Sequence, residues 1–370
     1  RIQLFRDLRD LPLNRECLSD LRDGRGLSMF IYDKRQGGVD VRRIENKLGI
    51  HGSPTCELVY KNAHAELCGE RRLGLIKYVM ALMNGARLGI ATQSVGISQA
   101  AYDEALAYAK DRCQFGKAIV DMPPVYNMLA TIKAKLDAGR ALLYETSRYV
   151  DIYKSYDDIA RSRKLTPEER KEQKKYTRLA DCFTPLAKGM NSEYANQNSY
   201  DCIQVHGGSG FMLEYACQRL YRDARITSIY EGTTQLQTVA AIRYVTNGTY
   251  MNVIREYEEI EVPEAYKSIK ARIHAMADAC EAAVNKVKEA GNQNYHDLVA
   301  RNLYEMTADV VMSLLLLRDT VEAPELFEKS LKVYVNLAEA EIAKHAAIVN
   351  NTNVEDIENY VQVAAKAEEE

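Results

Sequence analysis

Along most of the chain, apolar residues recur every three or four positions, the period of a helix with one buried face. From about Leu73 to Arg112 the series is Leu75, Val79, Leu82 and Met83, then Ile90, Val95, Ile97 and Ala101. Gly85, Ala86, Gly89, Ala91 and Gly96 lie among them and predict close helix packing. A second helix is expected from about Pro123 to Tyr153. Residues 154–175 are densely charged and read as a solvated helix face and connector. Within that stretch, Thr166-Pro167-Glu168-Glu169 has the form of a capping box with proline at the first helical position. A third helix should start there and run to about Asn198. A glycine-rich break, Gln204 to Gly210, is followed by a helix near 215–224. A second break, Ser228 to Gly232, precedes a helix over 233–245. Residues 247–262 are polar, contain Gly248 and end at Pro263, and read as a linker. Four further amphipathic helices are expected at 263–290, 295–319, 324–349 and 353–368, with Pro324 starting one and Asn353 capping another. They have the size and pattern of an antiparallel bundle.

The start of the chain differs. Leu27–Tyr32 is a short apolar and aromatic run closed by Asp33-Lys34 and Gly37-Gly38, and reads as a strand and turn. Thr55–Tyr60 is a second strand candidate. Residues 1–26 have no clean period and receive no assignment. The expected fold class is therefore mostly α. It comprises the end of a small β domain (1–70), too small to fold alone, a helical domain (71–255) and an additional helical domain (256–370).

Composition changes this picture only in places. The length, 370 residues, suits two or three units. With 49 Lys+Arg against 52 Asp+Glu the net charge is −3, so no global basic field points to nucleic acid. Only 20 Gly and 8 Pro argue against a turn-rich β protein and against disorder. The eight cysteines are dispersed without a C-x-x-C, and the six histidines lack ligand spacing. Both read as a reducing compartment with buried thiols and no metal. The longest apolar run, around Val310–Leu317, falls far short of the ~20 residues of a membrane span. Arg1 is not a methionine and no signal peptide opens the chain. The expectation is a C-terminal piece of a protein of about 550–600 residues, judged from ordinary domain sizes. Bacterial cytoplasm is the expected compartment, with the mitochondrial matrix as the alternative.

Three segments can carry chemistry. Gln204-Val205-His206-Gly207-Gly208-Ser209-Gly210 lacks the features of a Walker loop or a Rossmann fingerprint. It reads either as a helix–helix turn or as backbone left open to a phosphate. Arg112-Cys113-Gln114-Phe115-Gly116-Lys117 reads as a helix ending at Gly116 with cations in its last turn, or as an Arg and Phe pair holding an anionic ligand such as a dinucleotide. Tyr230-Glu231-Gly232-Thr233-Thr234-Gln235 places a carboxylate at a helix start. Either the helix dipole favours it there, or it is a general base held away from water, where a raised carboxyl suits removal of a weakly acidic C–H proton.

In their order these segments resemble the acyl-CoA dehydrogenase family. The resemblance rests on Lys47-Leu48-Gly49-Ile50 with Ser53-Pro54-Thr55-Cys56-Glu57, on Ala86-Arg87 opening the long helix, and on Arg112-x-Gln114-Phe115-Gly116. It continues with Gln204-x-x-Gly207-Gly208-x-Gly210-Phe211, Tyr221-Arg222-Asp223-Ala224-Arg225 and Tyr230-Glu231-Gly232-Thr233. It covers about residues 27–250, and the helical extension resembles a long subgroup similar to methylthiopropionyl-CoA dehydrogenases. The resemblance implies an N-terminal helical domain, a middle β domain and a C-terminal four-helix domain around FAD. It further implies oxidation of an acyl-CoA thioester to the 2,3-enoyl-CoA, of the kind found in fatty acid metabolism. Glu231 matches the base that takes the α-proton while the β-hydrogen leaves as hydride to the flavin. Relatives that carry the base elsewhere place it at the position of Ala86, so Glu231 has no competitor there. Arg112, Gln114 and Phe115 match FAD contacts to a neighbouring subunit. Gln204, Val205, His206, Gly207 and Gly208 match a pyrophosphate and adenosine segment, and Thr233 and Gln235 match further FAD contacts. Asn84, Arg87, Tyr230, Gly232 and Arg243 match the substrate side. There are departures: Asn84 stands where many relatives have Asp, and Met122-Pro123 where some have His-Gln. The domains that contact the flavin ring are not in this sequence, which implies weak FAD binding by these residues alone.

The implied partners are acyl-CoA, an electron-transfer flavoprotein and further copies of the chain as a homodimer or homotetramer, with no nucleic acid and no membrane. Two alternatives stay open: an acyl-CoA oxidase, and a non-catalytic relative used for assembly or nucleic-acid binding.

Overall fold

The computed structural model describes residues 2–6 and 27–353. It divides into two compact units after Arg87. In the first, strands β1 (Ile2–Arg6), β2 (Leu27–Ile31), β3 (Val39–Ile44), β4 (Cys56–Tyr60) and β5 (Glu66–Cys68) form an antiparallel sheet ordered β1-β2-β5 and a separate β3-β4 ribbon. The two strands expected at 27–32 and 55–60 are β2 and β4. Strand β3 was not expected because Val39–Ile44 (VDVRRI) leaves almost every side chain exposed, so no buried face imposes a period. An ion pair across the ribbon, Arg42 to Glu57 at 2.6 Å, accompanies its backbone ladder. Ser28 on β2 is fully buried and accepts from the Arg72 N–H at 2.8 Å. Gly74 lies so close to β2 that a Cβ there would meet the Met29 nitrogen at 2.6 Å.

The second unit is helical. It contains α1 (Met80–Asp111, starting before Arg87), a short hairpin described below, α2 (Pro123–Ser162) and α3 (Pro167–His206). These are followed by α4 (Ala216–Ala224), α5 (Thr234–Thr246), α6 (Thr249–Glu258), α7 (Lys267–Ala290), α8 (Gln293–Glu322) and α9 (Pro324–Asn351). The capping box that opens α3 is present, with Thr166 Oγ1 accepting from the Glu169 N–H at 3.2 Å and Glu169 Oε2 accepting from the Thr166 N–H at 2.8 Å. Helix α2 runs nine residues past its expected end at Tyr153. The charged stretch contains no glycine or proline before Pro167, and pairs such as Arg161–Asp158 at 2.9 Å suit a solvated helix. Helix α3 likewise continues past Asn198 to His206 and stops where Gly207 turns to φ 59.

The segment expected as a linker, 247–262, is instead mostly helix α6. Gly248 at φ 80 and the Asn247 side chain, which accepts from the Thr249 N–H at 3.0 Å, start it. Tyr250, Val253 and Ile254 bury its inner face. Pro185 interrupts the N–H ladder of α3, and two hydroxyls bond carbonyls in that region. Tyr250 donates to the carbonyl of Cys182, and Tyr304 of α8 donates to that of Pro185 at 3.0 Å.

One continuous apolar core takes side chains from α1, α2, α3 and α5 through α9. Helix α8 lies inside it: Val310–Leu317 is buried on every side, so a run too short for a membrane serves as a central core helix. Of the four C-terminal helices expected, three are α7, α8 and α9. The fourth, expected at 353–368, lies beyond Asn353 and so outside the described residues, as do 7–26. Among the described residues no helix is long and apolar enough to cross a membrane.

Candidate functional site

The turn between α4 and α5 holds Glu231. A short 3₁₀ turn, Arg225–Ser228, leads into it, and the Thr233 hydroxyl caps α5 by accepting from the Leu236 N–H at 3.3 Å. Glu231 has φ 54 and Gly232 φ 93. Glycine adopts this region freely, but at Glu231 it costs on the order of 1 kcal/mol, and such strain gathers at functional sites. Bonds from buried neighbours surround the turn. Ser192 Oγ donates to the Thr227 carbonyl at 3.0 Å, and the Thr234 hydroxyl donates to Glu193 Oε1 at 2.6 Å. Lys188 Nζ donates to the Gly232 carbonyl at 2.7 Å, and Gln237 Nε2 donates to the same oxygen at 2.9 Å. The Tyr230 hydroxyl donates to Gln93 of α1. Glu231 itself is half-buried, not shut away from water as the general-base reading supposed.

The Arg112–Lys117 segment corrects another expectation. Helix α1 ends at Asp111, not at Gly116. Strands β6 (Cys113–Gln114) and β7 (Lys117–Ala118) follow as a tight hairpin, with Cys113 opposite Ala118 and Gln114 opposite Lys117. Phe115 at φ 50 and Gly116 at φ 80 form its two-residue turn, the geometry of a type I′ hairpin. Phenylalanine is a strained choice there, and its side chain is 94% exposed. Arg112 and Gln114 are exposed beside it.

Gln204, Val205 and His206 form the last turn of α3, so the glycine-rich break begins only at Gly207. Gln204 is exposed, whereas Val205 and His206 point into the core. The His206 ring stacks on Tyr108 with centroids 4.2 Å apart, and its Nδ1 shares a hydrogen bond with the Cys202 carbonyl at 2.8 Å. Gly207 and Gly208 are exposed, and a Cβ on either would meet only open space. The structure also gathers Cys202, His206 and Cys217, whose ligand atoms lie within 4.8 Å of one another, all buried. Spacing alone did not show this triad because Cys217 belongs to α4. Its members have partners in the core: the Cys217 thiol donates to the Gly210 carbonyl at 3.4 Å, and burial pushes both thiols up. Not every cysteine is buried as expected: Cys113 is exposed and Cys56 and Cys68 are half-buried, while Cys17 lies outside the described residues.

The remaining predicted residues scatter. Asn84 and Arg87 stand half-buried on the first turns of α1, within the first unit. Arg243 is exposed, lies over the Tyr244 ring at 4.5 Å and donates to the Tyr244 hydroxyl at 2.6 Å. Thr233 and Gln235 line an open groove of about 680 Å³ together with Tyr221, Arg225, Asn196 and Lys135. Neither Glu231 nor the Phe115 hairpin is among that groove's lining residues. Lys188, Gln237, Glu193 and Gln93 were missed. For Lys188 a signal existed: Thr184, Ser192 and Ala195, one or two turns away on α3, all face the core, so the helical period puts a lysine inside.

Two family models match in succession. "Acyl-CoA dehydrogenase, C-terminal domain" takes residues 88–235 and "Acyl-CoA dehydrogenase C terminal" takes 246–357. The chain belongs to the acyl-CoA dehydrogenase family. Among its relatives is a 3-methylmercaptopropionyl-CoA dehydrogenase of Ruegeria pomeroyi, 36% identical over 58% of this chain and 37% of the relative. Another is the caffeyl-CoA reductase-Etf complex subunit CarC of Acetobacterium woodii, 34% identical over 59% of this chain and 52% of the relative. The chain thus spans about half or less of these relatives' lengths. An acyl-CoA dehydrogenase from Bacillus anthracis, solved in complex with FAD, shares the fold with a TM-score of 0.73 at 23% identity, over 91% of this chain and 61% of that one.

Proposed function

We propose that this chain is the catalytic-base-bearing part of a flavin-dependent enzyme that oxidises the Cα–Cβ bond of an acyl-CoA thioester to the 2,3-enoyl-CoA. The observation that carries it is the strained Glu231-Gly232 turn, held from α3 and α5 and presenting a carboxylate at a half-open surface. The thioester carbonyl acidifies the α-carbon, and a Glu231 carboxylate oxygen takes that proton. Tyr230, Gly232, Arg243, Asn84 and Arg87 are the proposed substrate-side residues.

The residues present suit a flavin dinucleotide. The uncovered backbone of Gly207 and Gly208 permits close approach of a pyrophosphate, and Arg112, Gln114 and the exposed Phe115 offer a cation, an amide and a ring. Gln204, Thr233 and Gln235 are exposed and available. Val205 and His206 contribute backbone only, since their side chains face the core. When bound, FAD supplies the hydride acceptor that no side chain can provide. In this reading residues 71–255 carry the chemistry and 256–370 support it. Electrons pass on to an electron-transfer flavoprotein, and the working form is a homodimer or homotetramer. A second reading, reduction of an enoyl-CoA by the same site run backwards, is favoured by the 34% identity to the caffeyl-CoA reductase subunit.

Glu231→Gln in the whole protein tests the base. A general base contributes roughly 10²–10⁴-fold, so bleaching of the flavin by acyl-CoA should slow at least about 100-fold. Bleaching at the wild-type rate overturns the reading.

A further inference from the structure

We infer that Lys188 and Gln237 are positioning residues for the Glu231 carboxylate, acting through the carbonyl oxygen of Gly232. The inference rests on the reading of Glu231 as the base. Lys188 is fully buried on α3, where a helix needs only an aliphatic side chain to fill the space, and its ammonium donates to Gly232 O at 2.7 Å. Gln237 is fully buried in the first turn of α5, three residues after its start at Thr234. Its Nε2 donates to Gly232 O at 2.9 Å and approaches Glu231 O at 3.4 Å. Both neighbours are carbonyl oxygens, so only the amide nitrogen can face them. That orientation leaves Gln237 Oε1 buried without a partner.

A buried ammonium and an unpartnered amide oxygen both oppose folding. Plain helix packing explains neither. What the two side chains share is one acceptor, the carbonyl oxygen of the glycine that follows the base. Holding Gly232 O from two helices, and Glu231 O from one, restricts ψ of Glu231 and both torsions of Gly232. Those torsions set how the Glu231 Cα–Cβ bond is aimed from α5, and so the region its carboxylate can reach. A rigid left-handed turn keeps it in one place through the reaction. Misplacement of a reacting group by about 1 Å can cost on the order of 100-fold in rate.

The test uses Lys188→Met, which keeps volume but loses the donor, and Gln237→Leu, both in the whole protein with its flavin. The expected result is a kcat lower by about 10–100-fold with KM for acyl-CoA within about threefold, since the substrate's bulk is held elsewhere. The double variant should fall little below the worse single one, because both act on one oxygen. A readout independent of turnover is amide hydrogen exchange: protection across 229–236 should drop in each variant while the middles of α2 and α8 stay protected. Should Lys188→Met fail to fold, Gln237→Leu alone decides. Folded variants with kcat within twofold of wild type and unchanged exchange overturn the inference and leave Glu231 as base, provided Glu231→Gln is inactive. An active Glu231→Gln protein overturns both.

Discussion

At the residue scale, close approach of elements decides which side chains are possible. Gly189 follows Lys188 on α3, and a Cβ there would lie 2.1 Å from the Tyr304 hydroxyl. That hydroxyl is the far end of a rigid ring, fixed by its bond to the Pro185 carbonyl. Gly189→Ala should therefore destabilise the fold by about 1–3 kcal/mol, the usual range for overpacking, read from the urea midpoint. Tyr304→Phe in the same chain should relieve most of the clash, giving less loss together than the two changes summed. A similar contact joins α2 to α3: a Cβ on Gly139 would stand 2.2 Å from Asn191 Oδ1, and Asn191 Nδ2 donates to the Gly139 carbonyl at 3.2 Å. Neither glycine lies in a turn, so nothing in the sequence around them distinguishes them from ordinary weak helix positions. The motif residues were legible because their types are rare together. The residues supporting them were not, because a lysine and a glutamine acquire their role only from what lies across the helix.

At the scale of elements, two buried carboxylates tie helices together and titrate in opposite directions. Glu145 of α2 pairs with Arg148 at 2.6 Å and with Arg318 of α8 at 3.1 Å, and accepts from Tyr257 of α6 at 2.9 Å. Burial alone would raise its carboxyl, but the bonds to Arg148 and Tyr149 and the charge of Arg318 outweigh that and hold it at about 2. Its ordinary value is 4.5, so its share of stability is present above that pH and is lost as pH falls toward about 2. Asp309 of α8 accepts from Tyr194 of α3 at 3.2 Å and from Tyr334 of α9 at 3.0 Å. Burial pushes it up to about 7, against those two hydrogen bonds and the nearby His345 and reinforced by Glu305. Below its ordinary value of 3.8 it costs nothing, and stability is lost as pH rises from there through about 7. The urea midpoint should therefore fall on both sides, with slopes of at most about 1.4 kcal/mol per pH unit for each group. Asp309→Asn should remove the decline between about pH 4 and 7 while leaving the acid limb; a decline that persists assigns it to another group.

At the scale of the whole molecule, α7, α8 and α9 share one core with α2, α3 and α5. Ending the chain after Asn247 would strip the buried faces of α2, α3 and α5 of their cover. That truncated chain should lose cooperative thermal unfolding and aggregate on size exclusion, whereas two independent domains would leave it folded. Helical period, the capping box and the absence of breaking residues were enough to place α1, α2, α3, α4, α5, α7, α8 and α9, because each of these signals is local. The same locality explains the misplaced ends: α2 and α3 run on because no neighbouring residue stops them, and α6 hides in polar sequence because Tyr250, Val253 and Ile254 form a buried face only against the neighbouring helices α5, α7 and α8. By itself the sequence determined the order of the helices other than α6, through their period, and the family, through residue types that few other chemistries need together. Only the tertiary structure decided which side of His206 is covered, that Phe115 turns a hairpin, and that a buried lysine and glutamine meet at the carbonyl beside Glu231. The stacking of Tyr108 on His206 and the bond from Lys188 to Gly232 join residues tens of positions apart, and short-range patterns carry no information about such distances. The hairpin is local, but it sets a phenylalanine at positive φ where short-range rules expect glycine, asparagine or aspartate.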